Sequence, residues 1–94
     1  MPEMRFIVTW PDGRDEECYS PSLVIRDYFN EGERYFVPDF LSRSREALTI
    51  ASDRVKVRYG YACSLAMGQL ARLEQHGATF KDPQAEIQIK QFLL

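Results

Sequence analysis

Cys63, one of two cysteines in the chain, raises the question of covalent chemistry. It stands in the stretch RYGYACS at 58–64, three residues after a glycine that lies between two tyrosines. A thiol becomes a nucleophile only when its pKa is lowered and a base lies within reach. Helical periodicity instead puts Cys63 on one apolar side with Met67 and Leu70, where buried, inert cysteines are common. We therefore interpret Cys63 as a packing residue; the alternative is a reactive thiol near a helix N-terminus.

The other side chains with catalytic potential give weaker patterns. Cys18 follows the acids DEE at 15–17, and nearby carboxylates raise the pKa of a thiol. Adjacent strand residues point to opposite faces, so these acids predict a solvated sheet edge. His76 is the single histidine and is expected at a helix end, where the helix dipole favours a positive charge. No ligand spacing typical of a metal site is present, and the sequence predicts no catalytic residue, metal or cofactor.

A ligand site is conceivable where the chain bends at Gly60. Arg58, Tyr59 and Tyr61 flank that glycine, and a guanidinium beside two phenol rings could line a pocket for a small anion. These three residues are the predicted ligand-binding set.

A second irregularity suggests an interface. Ile50 and Val57 are seven residues apart on a helix side that is otherwise polar, with Arg43 and Arg54 beside them. Apolar residues in such a place indicate a second buried contact. The contact could be the short helix expected at 21–29 or a symmetric dimer partner, and both alternatives stay open at this point.

The elements that would position these residues follow from local patterns. Residues 4–10 alternate, with Phe6, Val8 and Trp10 on one face, and WPDG at 10–13 is a strong hairpin signal. The segment 85–94 alternates again and predicts a last strand. An extended stretch is expected at 34–37.

Three helices are expected between the strands. Ser20 is the predicted N-cap of a short helix with Pro21 at its first position, and Asp39 the N-cap of a long helix over 40–59. A further helix is expected over 61–75, ending in an αL cap at Gly77. The inward sides are expected to hold the following residues: Phe40, Leu41, Ala47, Leu48, Ala51, Val55 and Tyr59, then Ala62, Cys63, Ala66, Met67, Leu70 and Leu73.

Together these elements predict a single α+β domain over residues 1–94. A small antiparallel sheet, made of the N-terminal hairpin and the C-terminal strand, would pack against two main helices and one short helix. The strand order cannot be read from the sequence.

Composition narrows the class of protein. The net charge of −2 gives no reason to expect a nucleic-acid partner. No apolar run is long enough for a membrane span, and the N-terminus lacks an export signal, so a cytoplasmic location is expected. The charge is uneven, with an acidic first 38 residues and a mildly basic middle.

Six stretches, in order and over nearly the whole length, resemble a known family: MPEMRF, WPDG, ECYSPSLVIRDYF, SREAL, RYGYACSLAM and QLARLE. The sequence is similar to small bacterial nitrogen-starvation response proteins. The resemblance implies a gene cluster with a nitrilase, a radical-SAM protein, a flavin-dependent oxidoreductase and an acetyltransferase, associated with nitrogen scavenging from nitriles or cyanide. It assigns no catalytic residue.

From these observations we expect a small accessory protein without enzymatic activity, acting as a homodimer or by binding an enzyme of the nitrilase cluster. The alternative is a small-molecule-binding protein or minor enzyme that uses a pocket at the bend around 58–61.

Overall fold

Four strands and three helices are found along the described chain. The computed structural model describes residues 3–61 and 63–94. Its elements are, in order, β1 (Met4–Thr9), β2 (Asp15–Ser20), α1 (Ile25–Tyr28), β3 (Arg34–Phe36), α2 (Val37–Tyr59), α3 (Ser64–Gly77) and β4 (Glu86–Leu93). The α+β class predicted from the sequence is confirmed.

The four strands form one antiparallel sheet in the order β2-β1-β4-β3. The sheet contains the N-terminal hairpin and the C-terminal strand, as predicted, with β1 and β4 at its centre, and the extended stretch adds a short fourth strand, β3, beside β4. The acidic strand β2 occupies one edge. Charged side chains on an edge strand discourage pairing with another sheet, which agrees with the expectation for this segment.

The hairpin between β1 and β2 is built by the turn chemistry of WPDG. Gly13 adopts a φ of 88°, which residues with a side chain rarely adopt, and its N–H donates to the Trp10 carbonyl at 2.8 Å. The Trp10 N–H in turn donates to the Arg14 carbonyl at 2.8 Å. The register that follows pairs Phe6 with Cys18.

One face of the sheet carries the core. Phe6 and Val8 of β1 and Ile87 and Ile89 of β4 are fully buried, in the alternation that a half-covered sheet requires. Among the helical residues fully buried with them are Phe40, Ala47, Leu48, Ala51, Ala66 and Leu73. The predicted helical layer on the sheet is therefore present.

Both predicted N-caps are wrong. Ser20 pairs with Met4 as the last residue of β2, and its hydroxyl donates to the Ser22 carbonyl at 2.7 Å, so it shapes the exit from the strand. Helix α1 begins five residues later, at Ile25. Helix α2 begins at Val37, before Asp39, because the Val37 N–H finds an acceptor outside the helix in the Ala85 carbonyl at 3.0 Å.

The third helix is shorter at its start than predicted. Cys63 is its N-cap, in extended conformation, and the Cys63 N–H donates to the Ser52 hydroxyl of α2 at 3.1 Å. Ala62 lies outside the described residues. At the other end Gly77 is helical and Ala78 follows in right-handed conformation, so the predicted αL cap is wrong.

The inward sides of the two long helices also differ from the prediction. Tyr59 is 53% and Met67 40% exposed, whereas Gln69 is only 2% exposed. Gln69 faces inward because α3 runs beside the edge strand β2, and its side-chain oxygen accepts the Tyr19 N–H at 3.1 Å. None of the described helices is long and apolar enough to cross a membrane.

Candidate functional site

The bend between α2 and α3 is formed by Gly60, whose φ is 85°. Its N–H donates to the Lys56 carbonyl at 2.7 Å, which ends α2 and turns the chain. Tyr59 and Tyr61 lie on either side, with ring centroids 6.4 Å apart. Both line a cavity of about 320 Å³ together with Cys63, which we call the elbow cavity. The structure thus brings two of the three predicted ligand-binding residues together.

The third, Arg58, lies elsewhere. Its guanidinium carbon is 5.8 Å from the centre of the Tyr59 ring, but the side chain lines a different concavity, of about 430 Å³. That concavity, which we call the α2 groove, is lined by Ile50, Asp53, Arg54, Val57 and Arg58. It contains Ile50, Val57 and Arg54, three of the four residues of the predicted interface. Val57 is 88% exposed and Ile50 is half-buried against the core.

The fourth, Arg43, holds the segment before β3 onto α2. Its Nη1 donates to the Tyr28 carbonyl at 2.9 Å and its Nε to Asp39 at 2.9 Å. The Arg54 Nη1 makes a similar contact with the Ser22 hydroxyl at 2.8 Å. The two arginines therefore connect α2 to both ends of the segment 22–28, and this segment does not cover Val57.

The two thiols differ in environment, and both are free. Cys18 is fully buried on the core face of β2; this burial, followed by the charge of Glu16, raises the pKa of its thiol. Cys63 is half-buried in the wall of the elbow cavity, at the N-cap of α3. It packs against the core, as predicted, although from a position before the helix.

A polar cluster that the sequence did not predict lies where the hairpin meets α3. Glu16 Oε1 accepts hydrogen bonds from Trp10 Nε1 at 2.9 Å and from His76 Nδ1 at 2.8 Å. On the other side of the imidazole, Arg14 Nη2 lies 3.2 Å from His76 Nε2. A guanidinium can only donate, so Nε2 is the acceptor and Nδ1 carries the proton that it donates to the carboxylate. Glu16 thus fixes the tautomer and orientation of the ring.

This cluster lines a cavity of about 420 Å³. An imidazole held by a carboxylate with its other nitrogen outward is the arrangement of a general base. The side chains in the cavity wall, however, include no hydroxyl or thiol that the imidazole could activate: they are Trp10, Arg14, Asp15, Glu16, Arg72, Gln75 and His76. In this structure the cluster joins the hairpin to the last turn of α3, and His76 is a helix-end residue as predicted.

No group of three or more His, Cys, Asp or Glu residues within 3–61 and 63–94 is arranged to hold a metal ion. The fold defines a small α+β protein. Its elbow cavity and its α2 groove are both formed in part by α2.

The family model for NitG, described as nitrogen starvation-induced protein NitG, matches residues 5–92. The chain belongs to this family of nitrogen starvation-induced proteins, and the resemblance seen in the sequence is confirmed. Comparison with curated proteins and with solved structures gives no match.

Proposed function

We propose that this nitrogen starvation-induced protein is a non-enzymatic accessory protein that self-associates through the α2 groove. The observation that carries the proposal is Val57, which is 88% exposed although it lies within a regular helix. It forms one end of a concave surface whose other end is the half-buried Ile50. An exposed apolar side chain beside a partly filled apolar concavity is typical of a contact surface.

The spacing of the groove makes it complementary to itself. Two copies of α2 packed antiparallel, with a two-fold axis between residues 53 and 54, place each Ile50 opposite Val57 of the second copy. The same axis places Asp53 opposite Arg54 of the second copy, so opposite charges face each other. A two-fold interface requires this kind of reciprocal matching. Arg54 uses one nitrogen for Ser22 and has others for the carboxylate.

The size of the surface sets the expected strength. The groove covers about two turns of one helix, and a contact of this extent lies at the weak end of specific interfaces. We therefore expect a dissociation constant that is roughly micromolar or weaker.

Sedimentation equilibrium of the wild type from about 1 μM to 1 mM tests the proposal, because this range begins at the tightest dissociation constant expected. The wild type should show a concentration-dependent dimer, and Val57→Asp should remain monomeric. Val57 is so exposed that its substitution leaves the core intact. Leu65→Asp is the matched control, since Leu65 is 65% exposed but lines the elbow cavity instead. A wild type that stays monomeric throughout would refute self-association.

The charge pair gives a more specific test. Asp53→Arg should weaken the dimer through like charges, and the double change Asp53→Arg with Arg54→Asp should restore it. Restoration distinguishes the antiparallel arrangement from other contacts of the same face, because only this arrangement opposes positions 53 and 54. If the double variant is no tighter than Asp53→Arg alone, this arrangement is wrong.

We further propose that the protein acts in nitrogen scavenging from nitriles or cyanide. Membership of a nitrogen starvation-induced family supports this setting, as does the gene cluster that the resemblance implies. In such a setting, the α2 groove could also receive an enzyme of the nitrilase cluster. Pull-down of each cluster enzyme with the wild type and with Val57→Asp tests this: capture should depend on Val57. Failure of all the enzymes to bind would contradict enzyme binding and leave the sedimentation result to decide self-association.

A second candidate function is small-molecule binding at the elbow cavity. The observation in its favour is that Tyr59 and Tyr61 share one cavity with the thiol of Cys63. A ligand there should protect Cys63 from a thiol reagent, and Tyr61→Ala should abolish the protection. Arg58 lies in the α2 groove, so Arg58→Met should leave the protection unchanged.

A further inference from the structure

Gln69 is a buried polar side chain whose amide oxygen accepts hydrogen bonds while its amide nitrogen donates none to the described residues. It is 2% exposed in α3. Its Oε1 accepts from the Tyr19 N–H at 3.1 Å and from Arg72 Nη2 at 3.4 Å. Its Nε2 has no hydrogen-bond partner among the described residues. Reversing the amide would not help, because Nε2 would then face the Tyr19 N–H, donor against donor.

A buried donor without an acceptor is unfavourable, because it has lost the hydrogen bond that it makes to water in the unfolded chain. Such a group is retained when something supplies the acceptor. Gln69 lines a cavity of about 310 Å³ between α3 and the edge strand β2. An acceptor atom bound beside Gln69 in that cavity would supply the partner that the amide lacks.

The charges around this cavity are of both signs. Arg72 projects from α3, and none of the carboxylates described in the structure lies within ion-pair distance of it. The opposite wall carries Glu17, paired with Arg5 at 3.5 Å, and Glu3, which lines the same cavity. The helical wall thus offers donors and a guanidinium that none of the described carboxylates pairs, whereas the strand wall carries two carboxylates, one of them paired with Arg5.

We propose that this cavity binds a free α-amino acid. Its carboxylate accepts from Arg72 and Gln69 Nε2, and its ammonium group lies against Glu17 and Glu3. A simple anion would meet two carboxylates on the strand wall and a simple amine would meet two guanidinium groups, whereas a zwitterion matches both walls. The proposal is independent of self-association, because these residues lie outside the α2 groove.

Two neighbours of Gln69 on the same helix line the cavity with it. Leu65 and Arg72 lie four residues before and three residues after Gln69, so all three share one face of α3. Leu65 is 65% exposed and Arg72 is exposed, so both can move without disturbing the core. In the proposed complex these two side chains move aside where the ligand contacts Gln69.

Titration with each of the 20 standard amino acids, followed by ¹H–¹⁵N NMR, tests the proposal. At least one should move the side-chain amide signals of Gln69 and the backbone signal of Tyr19. Arg72→Met should weaken that binding at least roughly tenfold, because a hydrogen bond to a charged group contributes about 1.5–3 kcal/mol. Arg26→Met is the matched control, since Arg26 is an exposed arginine on α1 and should bind like the wild type.

Two blocked forms of the amino acid separate the charges. The N-acetyl form, without an ammonium, and the carboxamide form, without a carboxylate, should each bind at least roughly tenfold more weakly. Equal binding of the N-acetyl form would show a plain anion site and overturn the proposal. It is also overturned if none of the 20 amino acids moves the Gln69 amide signals, or if Arg72→Met leaves binding unchanged. Arg72 is exposed, so this variant is expected to fold even if Gln69→Met does not.

Discussion

Gly77 places the backbone of α3 against Leu41 of α2, and Gly77→Ala should destabilise the protein. A Cβ atom at this position would lie 2.7 Å from Leu41 Cδ1, 3.1 Å from Cδ2 and 3.2 Å from Cγ. All three atoms belong to the branched end of one side chain, so a rotation that relieves one contact must also move the other two. Inserting a methyl group into such a contact costs about 1–3 kcal/mol.

Part of this cost is offset by the gain of replacing a helical glycine. Alanine is favoured over glycine in a helix by about 0.5–1 kcal/mol. The net loss for Gly77→Ala is therefore on the order of 1 kcal/mol. Gly68 is the matched control in the same helix, because a Cβ there meets only Arg72 Nη1, at 3.6 Å. Gly68→Ala should stabilise the protein by about 0.5–1 kcal/mol.

Urea unfolding followed by the fluorescence of Trp10 measures both variants. Trp10 is the single tryptophan and is 2% exposed, so its emission reports loss of the core. With a slope of about 1 kcal/mol per molar urea, the midpoint should fall by about 1 M for Gly77→Ala and rise for Gly68→Ala. In the background of Leu41→Ala, the same glycine change should no longer destabilise, since the opposing atoms are gone.

A Gly77→Ala variant as stable as Gly68→Ala would refute the close packing of α2 on α3. The close packing would also be refuted if Gly77→Ala lowered the stability by the same amount in the wild-type and Leu41→Ala backgrounds. The cost would then come from the backbone. The variant and its double-mutant cycle together locate the effect at one pair of side chains.

Three further outcomes are expected. Glu16→Gln should lower the free energy of unfolding by about 1–2 kcal/mol in urea unfolding, because the carboxylate accepts both an indole and an imidazole N–H; an unchanged midpoint would contradict this. A thiol reagent at pH 8 should modify Cys63 in the folded protein and Cys18 only after unfolding, because burial raises the pKa of the Cys18 thiol; two equally fast thiols would contradict its burial. Hydrogen bonds from Lys90 and Thr9 lower the pKa of the Asp15 carboxyl, so their contribution to stability is present above about pH 4 and is lost as the pH falls through the folded-state pKa. Lys90→Met should therefore destabilise the protein more at pH 6 than at pH 3, as measured by the urea midpoint, and an equal effect at both values would contradict the pairing.

Local patterns in the sequence were sufficient for the strands. The hairpin at WPDG, the alternation of β1 and the last strand are all present, because turn chemistry and a period of two depend on neighbouring residues. The existence of the long helices also followed from periodicity. The first residues of the helices did not follow from periodicity, because distant residues make the contacts there. Ser20 pairs with Met4 and so belongs to β2, and the Val37 N–H donates to the Ala85 carbonyl.

The family was also readable from the sequence, because its motifs extend over nearly the whole chain and the family model matches residues 5–92. The polar clusters were not. Glu16 and His76 are 60 positions apart, and Tyr19 and Gln69 are 50 apart. A single histidine together with an acidic strand was the one available hint. Without the sheet order and the direction of α3, a contact between Glu16 and His76 could not be distinguished from two separate solvated side chains.

The sequence by itself therefore determined the class of fold, the family and the glycine that bends the chain between the long helices. Only the tertiary structure decided that Arg58 lies apart from Tyr59 and Tyr61, and that Gln69, not Met67, faces inward. The physical reason is that a period or a turn is set by adjacent residues. Which side of a helix is covered depends instead on the strand that packs beside it, and here that strand is β2, whose edge N–H at Tyr19 is satisfied by the amide of Gln69.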